Sequence, residues 1–181
     1  MRKRKYLIFL VLLFPVLAIA QIPDSSSVNK VNDTFAWLSF GPGGANKSIG
    51  FNFNANVAFG KHYLTAQFAD LDAFVMFHFA DRPHDYSQEF NITYGRRYCD
   101  NSYAALFTAG LCYIDSRDYY LSETYGVGWT YDDVSYYGVT FKGQVLFQSK
   151  SVGIGPSVII NLGEGRKNMS FFLDLALGKL K

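Results

Sequence analysis

Ser48-Ile49-Gly50-Phe51-Asn52-Phe53-Asn54-Ala55-Asn56-Val57-Ala58-Phe59 is the stretch on which the fold turns. Ile49, Phe51, Phe53, Ala55, Val57 and Phe59 alternate strictly with Ser48, Gly50, Asn52, Asn54, Asn56 and Ala58. Successive side chains point to opposite sides only along a β-strand, so a period of two specifies an extended segment with one apolar and one polar face. Helical periodicity cannot produce it. The polar face also carries no charge, whereas a strand face turned to bulk water is normally studded with Lys and Glu.

The same alternation recurs along the chain. From Tyr103 to Tyr113, Tyr103, Ala105, Phe107, Ala109, Leu111 and Tyr113 share a face. Tyr137, Val139, Phe141, Val145 and Phe147 oppose Gly138, Thr140, Lys142 and Gln144. Val152 to Leu162 and Met169 to Gly178 repeat the pattern, the latter with Phe171, Leu173, Leu175 and Leu177 against Asp174 and Ala176. Less regular are Thr34 to Gly41, Glu89 to Arg97, and His62 to Ala80, whose apolar parity switches near Asp70 to Asp72 and predicts a bulge or a break there. Together these segments predict an all-β chain, a closed antiparallel transmembrane β-barrel of about eight strands. An even strand number leaves both termini on one side, with tight turns at Phe59 to His62 and Gln148 to Ser151. Longer loops are expected on the other side, at Asp81 to Gln88, Asp115 to Ser135 and Asn161 to Asn168, although the first outer loop, Pro42 to Lys47, is short.

Alternation alone does not say which face is inside, because a soluble lipocalin-like carrier would turn its apolar side inward. Volume decides for the opposite arrangement. The interior of an eight-stranded barrel is just wide enough for side chains to fill. Asn, Ser, Thr, Gly and Ala suit that space, whereas Phe51, Phe53, Phe59, Tyr137, Phe141 and Phe147 would overcrowd it. Glu89, Arg97, Lys142 and Asp174 fall on lumen-facing parity, where they could meet and pair inside the barrel, as buried charges must. Tyr63, Tyr94, Tyr98, Tyr103, Tyr113 and Tyr136 fall near strand ends, as interfacial aromatic girdles do.

The ends and the composition agree with an exported membrane barrel. Arg2, Lys3, Arg4 and Lys5 precede an apolar run from Tyr6 to Ile19 and the small-residue ending Ala18-Ile19-Ala20. This is the layout of a cleavable signal peptide over residues 1–20, with cleavage before Gln21. The run is shorter than the ~20 residues a spanning helix needs, and Pro15 interrupts it. Residues 21–33 read as a flexible polar leader, and 34–181 as the barrel domain. Aromatics make up 18% of the 181 residues and charged residues only 18%, below the roughly 25% charged content of soluble domains. A net charge of +2 gives no footprint for nucleic acid. If Ser102 to Tyr113 is extended, at roughly 3.3 Å per residue Cys112 stands some 30 Å from Cys99, too far for a disulfide. Two free thiols are expected.

The junction Ala20-Gln21, the period-two strands and the chain length resemble the small outer-membrane β-barrel family common in Bacteroidetes-type bacteria, similar in size to OmpA- and OmpX-type barrels. The resemblance is one of pattern over nearly the whole mature chain. It implies the fold and a location in the bacterial outer membrane, and it carries no functional residues across. One departure is Leu180-Lys181, where many such barrels end on an aromatic residue.

Candidate chemistry is sparse. His62, His78 and His84 are candidate bases for a lipid-modifying enzyme, but none has a nucleophile and an orienting acid in a recognisable pattern. Gly126-Val127-Gly128 lacks the strand-then-helix context of a phosphate loop, and Asn-x-Ser/Thr matches at Asn32, Asn46, Asn91 and Asn168 read as chance in a bacterial chain. No cofactor and no metal cluster is predicted. The segment Asp115 to Ser135 stands out, with Tyr119, Tyr120, Tyr125, Trp129 and Tyr131 interleaved with Asp118, Glu123, Asp132 and Asp133. Aromatics beside acids can stack on sugars or contact proteins, and aromatics also mark the edge of a bilayer where strands run beyond it. The expected role is therefore non-enzymatic, structural or partner-binding through extracellular loops, with outer-membrane lipid and an extracellular protein or glycan as partners. A narrow channel for small solutes is the alternative, ahead of a lipid-modifying enzyme or a soluble carrier.

Overall fold

The computed structural model describes residues 34–45, 48–71, 86–122 and 128–180, with side chains at 119–129 left out of the description. Eight antiparallel strands run in chain order: β1 (Thr34–Ala45), β2 (Ser48–Phe59), β3 (His62–Asp70), β4 (Tyr86–Cys99), β5 (Tyr103–Ser122), β6 (Gly128–Gln148), β7 (Val152–Gly163) and β8 (Arg166–Gly178). Each pairs with its sequence neighbours, and β8 closes on β1. The turns at Gly60-Lys61, 100–102 and 149–151 lie at the same end as Thr34 and Gly178, which we call the base; the opposite strand ends and the Glu164-Gly165 turn mark the mouth. Predicted residues 1–20 and 21–33, the second half of the His62 to Ala80 segment, His78, His84 and Tyr125 lie outside the described residues.

The barrel is inverted relative to a soluble one. Asn52, Asn54 and Asn56 of β2 are buried in the lumen, while Ile49, Phe53 and Phe59 face outward. Leu111 and Tyr137 on the outer wall are 71% and 74% exposed, values no water-soluble strand face needs for residues of that size. The outward aromatics are organised by register: Phe40, Phe53, Phe68, Phe90, Tyr113 and Tyr137 are successive cross-strand partners from β1 to β6. Ring centroids are 6.5 Å apart for Phe40 and Phe53, 4.8 Å for Phe68 and Phe90, 6.3 Å for Phe90 and Tyr113, and 5.0 Å for Tyr113 and Tyr137. The row starts at the seventh residue of β1 and reaches the eleventh of β5, so it climbs toward the mouth as it circles the tilted strands.

Several strand ends differ from the sequence reading. β1 continues past Gly41 to Ala45, and β3 stops at Asp70, where the parity switch falls. β7 and β8 run to Gly163 and from Arg166, so the expected loop from Asn161 to Asn168 is a two-residue turn with Asn161 and Asn168 paired across it. Glu164 and Gly165 both have positive φ, 47° and 74°, the geometry whose twist matches that of flanking strands. The largest difference is at 115–135: β5 and β6 stay paired as far as Ser122 and Gly128. Where an extended loop was expected, a long hairpin projects.

Two Gly-Pro dipeptides lie within strands, and each interrupts one ladder. Bridges between β1 and β8 lapse opposite Gly41-Pro42, and those between β6 and β7 lapse opposite Gly155-Pro156. Proline has no N–H to give a ladder. The preceding glycine lets the neighbouring backbone come close: a Cβ at Gly41 would stand 1.8 Å from the Leu173 carbonyl oxygen, and one at Gly155 would stand 1.8 Å from that of Val145. Gly155→Ala should therefore force the two strands apart and cost roughly 1–3 kcal/mol, seen as a lower urea midpoint for loss of the compact, heat-modifiable gel band.

Candidate functional site

The lumen is layered. At the base, Trp37 and Tyr63 stack with centroids 5.5 Å apart and planes within 9° of parallel, packed with Ala58, Leu106, Leu146, Ala176 and Leu180. Tyr63 and Tyr136, expected among the girdle aromatics, are instead buried in the lumen, because their strand parity turns them inward. Arg97 reaches the same layer from β4. Its guanidinium lies 4.6 Å from the Phe35 ring centroid and 5.7 Å from that of Trp37, and it donates to the Leu180 carbonyl. Backbone bonds from Lys179 to Ala36 and from Leu180 to Lys150 fold the chain end across the opening. Leu180 thus fills the base.

Above this cork the lumen is polar. Asn56 accepts from Tyr63 and Thr65 and donates to Ser39 Oγ at 3.2 Å. Lys142 Nζ donates to Asn54 Oδ1 at 2.7 Å, and Gln144 donates to the Asp174 carboxylate. Glu89 accepts from Asn161 at 2.9 Å, from Ser170 at 3.1 Å and from Asn168. Glu89, Arg97, Lys142 and Asp174 are all buried in the barrel, and the hydrogen-bond partners just named are neutral. Among the described residues, Asn52, Gln67, Thr108, Thr140, Ser157 and Asp174 each keep buried polar atoms with no protein partner. Buried polar groups of this kind are ordinarily met by ordered water, so the polar layer has the chemistry of a hydrated interior. Apolar clusters close it toward the mouth: Ala45, Ala69, Leu71, Ile159 and Phe172 on one side, Cys112, Ile114 and Tyr136 on the other.

At the mouth the projecting part of β5 and β6 carries two charge-bearing faces. On the outward face Arg117 lies 4.4 Å from the Tyr131 ring centroid and 5.6 Å from that of Tyr86, and its guanidinium donates twice to Asp133, at 2.6 and 3.1 Å. That pairing holds the exposed Asp133 carboxyl below the usual carboxylate range. On the inward face Asp118 stands opposite Asp132, and Arg166 of β8 takes Asp118 at 2.9 Å. Of the five aromatic residues singled out from the sequence, Tyr131 is exposed in this array, Tyr119, Tyr120 and Trp129 lie on the paired strands, and Tyr125 is outside the description. Beneath the hairpin an open cavity of about 270 Å³ is lined by residues including Ser87, Ser116, Tyr136, Arg166 and Asn168.

Of the histidines, only His62 is described. It lies in the outer wall between Phe59 and Tyr94, with ring centroids 5.6 and 5.7 Å away, and its Nδ1 hydrogen-bonds the Tyr94 hydroxyl. It therefore belongs to an aromatic row near the base and not to a nucleophile–base pair. Cys99 and Cys112 are free, as their spacing required.

No family model and no curated protein matches the chain. Among solved structures it is similar to Ail, the attachment invasion locus protein of Yersinia pestis, in complex with the heparin analogue sucrose octasulfate, with a TM-score of 0.53 at 11% identity over 81% of this chain and 98% of that one. It is similar also to the N-terminal β-barrel domain of Pseudomonas aeruginosa OprF, with a TM-score of 0.53 at 8% identity over 80% and 96%. Neisserial surface protein A gives 0.51 at 8% identity over the same shares. At such identities the likeness is one of fold: this chain has the fold of the small eight-stranded outer-membrane barrels.

Two expectations follow for the hairpin. Arg166→Ala leaves Asp118 facing Asp132 without relief, so protease cleavage between 118 and 132 should quicken while global stability falls by no more than about 1 kcal/mol, and adding Asp118→Asn should restore protection. Because the Asp133 carboxyl is held low by Arg117, its contribution is fully present above the ordinary carboxylate range and is lost as pH falls below that range, through the lowered folded-state value. Protection of the hairpin should weaken on acidification, and Asp133→Asn should remove that part of the dependence.

Proposed function

We propose that this chain is a bacterial outer-membrane protein of the OmpA- and OmpX-like size class, exported by a signal at residues 1–20, that meets an extracellular protein or glycan through its projecting hairpin. The outward apolar wall supports placement in lipid, since such a surface is stable only where hydrocarbon covers it. The observation that carries the partner-binding role is the ribbon formed by β5 and β6. Among the described residues, β4 pairs with β5 only as far as Arg117, and β7 pairs with β6 only from Val139. Beyond those points the ribbon pairs with itself, leaving a strand edge from Gly128 to Gly138 with no Lys or Pro to blunt it. Exposed edges of this kind are templates for partner chains, and Tyr131 over Arg117 adds a face suited to a sugar ring or an aromatic side chain. A similar barrel carrying a heparin analogue makes glycans one reasonable partner class.

The test is a variant in which residues 118–132 are replaced by a two-residue turn. It should fold into micelles with the same heat-modifiable band, while cells displaying it should adhere less to glycan- and protein-coated surfaces than cells displaying the intact chain. Equal adhesion would overturn the role. The channel alternative is disfavoured by the cork at the base, so planar bilayers holding the intact protein should show no conductance steps.

A further inference from the structure

Glu89 is 0% exposed, and every group that satisfies it is neutral. Two amides and a hydroxyl donate to it, from Asn161 on β7 and from Asn168 and Ser170 on β8. Asn91, two residues along β4 on the same lumen face, sets its amide nitrogen on Gln67 Oε1 at 3.5 Å. Among the described residues no Lys or Arg forms an ion pair with it; the ion pairs found there, Arg117 with Asp133 and Arg166 with Asp118, lie at the mouth. Isolated buried carboxylates are costly, and proteins ordinarily answer them with a counter-charge or a metal ion. Around Glu89 the oxygens for such an ion are in surplus. Asn91 Oδ1 and Asn161 Oδ1 have no partner, although the nitrogen of each amide is engaged, that of Asn161 with the carboxylate and that of Asn91 with Gln67 Oε1. Ser87 Oγ, one strand repeat above Glu89, is also without a partner and lines the mouth cavity. Asn168 joins the two, lining the cavity and donating to Glu89.

We propose that Glu89, the amide groups of Asn91, Asn161 and Asn168, and the Ser170 hydroxyl form a binding site for a single hard cation that enters through the mouth cavity, with Ca²⁺ the best-fitting ion. A half-turn of a terminal amide exchanges its nitrogen for its oxygen with no change of shape, so donors to the bare carboxylate become ligands beside it. The donor set is all oxygen, and no group of three His, Cys, Asp or Glu residues occurs among the described residues, which disfavours zinc and copper chemistry. Ligands spread over three strands give irregular geometry, which Ca²⁺ tolerates and Mg²⁺, with its demand for a near-ideal octahedron, does not. The site stands independently of what the hairpin binds.

The mature chain, folded into zwitterionic micelles and stripped with EDTA, is titrated with CaCl₂ by calorimetry, and its thermal unfolding is followed with and without the ion. One Ca²⁺ per chain is expected, with a Kd of roughly 10⁻⁴–10⁻³ M for so few charges, and a rise in unfolding temperature. Glu89→Gln should weaken binding by at least about tenfold, and Asn161→Asp, which adds a charge, should tighten it by about tenfold. Asp132→Asn, at the acidic part of the hairpin, should leave it unchanged. Absence of both heat and thermal shift at millimolar Ca²⁺ would overturn the site, as would a response that survives Glu89→Gln or is abolished by Asp132→Asn. Should Glu89→Gln fail to fold, Asn161→Asp still decides, since affinity that does not rise counts against the proposal.

Discussion

Closure of β8 on β1 is the contact on which the rest of the molecule rests. An open sheet of eight strands would expose two rows of unpaired N–H and C=O groups, and in hydrocarbon each would cost several kcal/mol with no water to answer it. Joining Trp37 with Gly178 and Ala45 with Ser170 removes both rows at once. Only after closure does the sheet have an inside, and only then can its polar face be hidden and its apolar face turned outward. The Asn ladder of β2, the outward row from Phe40 to Tyr137 and the cork at Leu180 all presuppose a closed ring.

Once closed, the ring imposes a problem of volume. Eight strands leave an interior that side chains can fill but not fill uniformly. The chain solves this in layers, with stacked rings and leucines at the base, amides, hydroxyls and isolated charges in the middle, and small apolar clusters under the mouth. The middle layer is where specificity resides, because a hydrogen bond between an amide of β7 and a carboxylate of β4 is made only in one register. Polar networks of this kind fix a unique arrangement when satisfied and cost dearly when not.

How far the sequence foretold this depends on whether one side of a strand faced a different medium from the other. Residues 48–59 were legible because lipid-facing and lumen-facing positions demand opposite chemistry, so every second residue reports its side. The same contrast puts Glu89, Arg97, Lys142 and Asp174 on lumen-facing parity, and all four are buried. It disappears where β5 and β6 leave the apolar belt: Asp115, Arg117, Asp118, Asp132 and Asp133 are polar whichever way they point, so a continuous hairpin read as a loop. Asn161 to Asn168 misled for a related reason, since a tight turn needs only two residues with positive φ, and Glu164 is not an obvious choice for one. The surroundings of Glu89 were illegible on other grounds. Its partners lie 72, 79 and 81 residues away, and no local spacing connects them.

The two Gly-Pro dipeptides give the wall a seam. Gly41-Pro42 thins the stitching between β1 and β8, and Gly155-Pro156 thins it between β6 and β7, so the two weakened ladders flank a single hairpin, β7 with β8. Within that hairpin the ladder is unbroken from Val152 to Gly163. The barrel is therefore mechanically a six-stranded shell and a two-stranded panel joined along two perforated lines. A panel hung in this way would be the last piece to lock when the cylinder is assembled and the first to swing when it is pulled apart, and it carries Asn161, Asn168 and Ser170 with it.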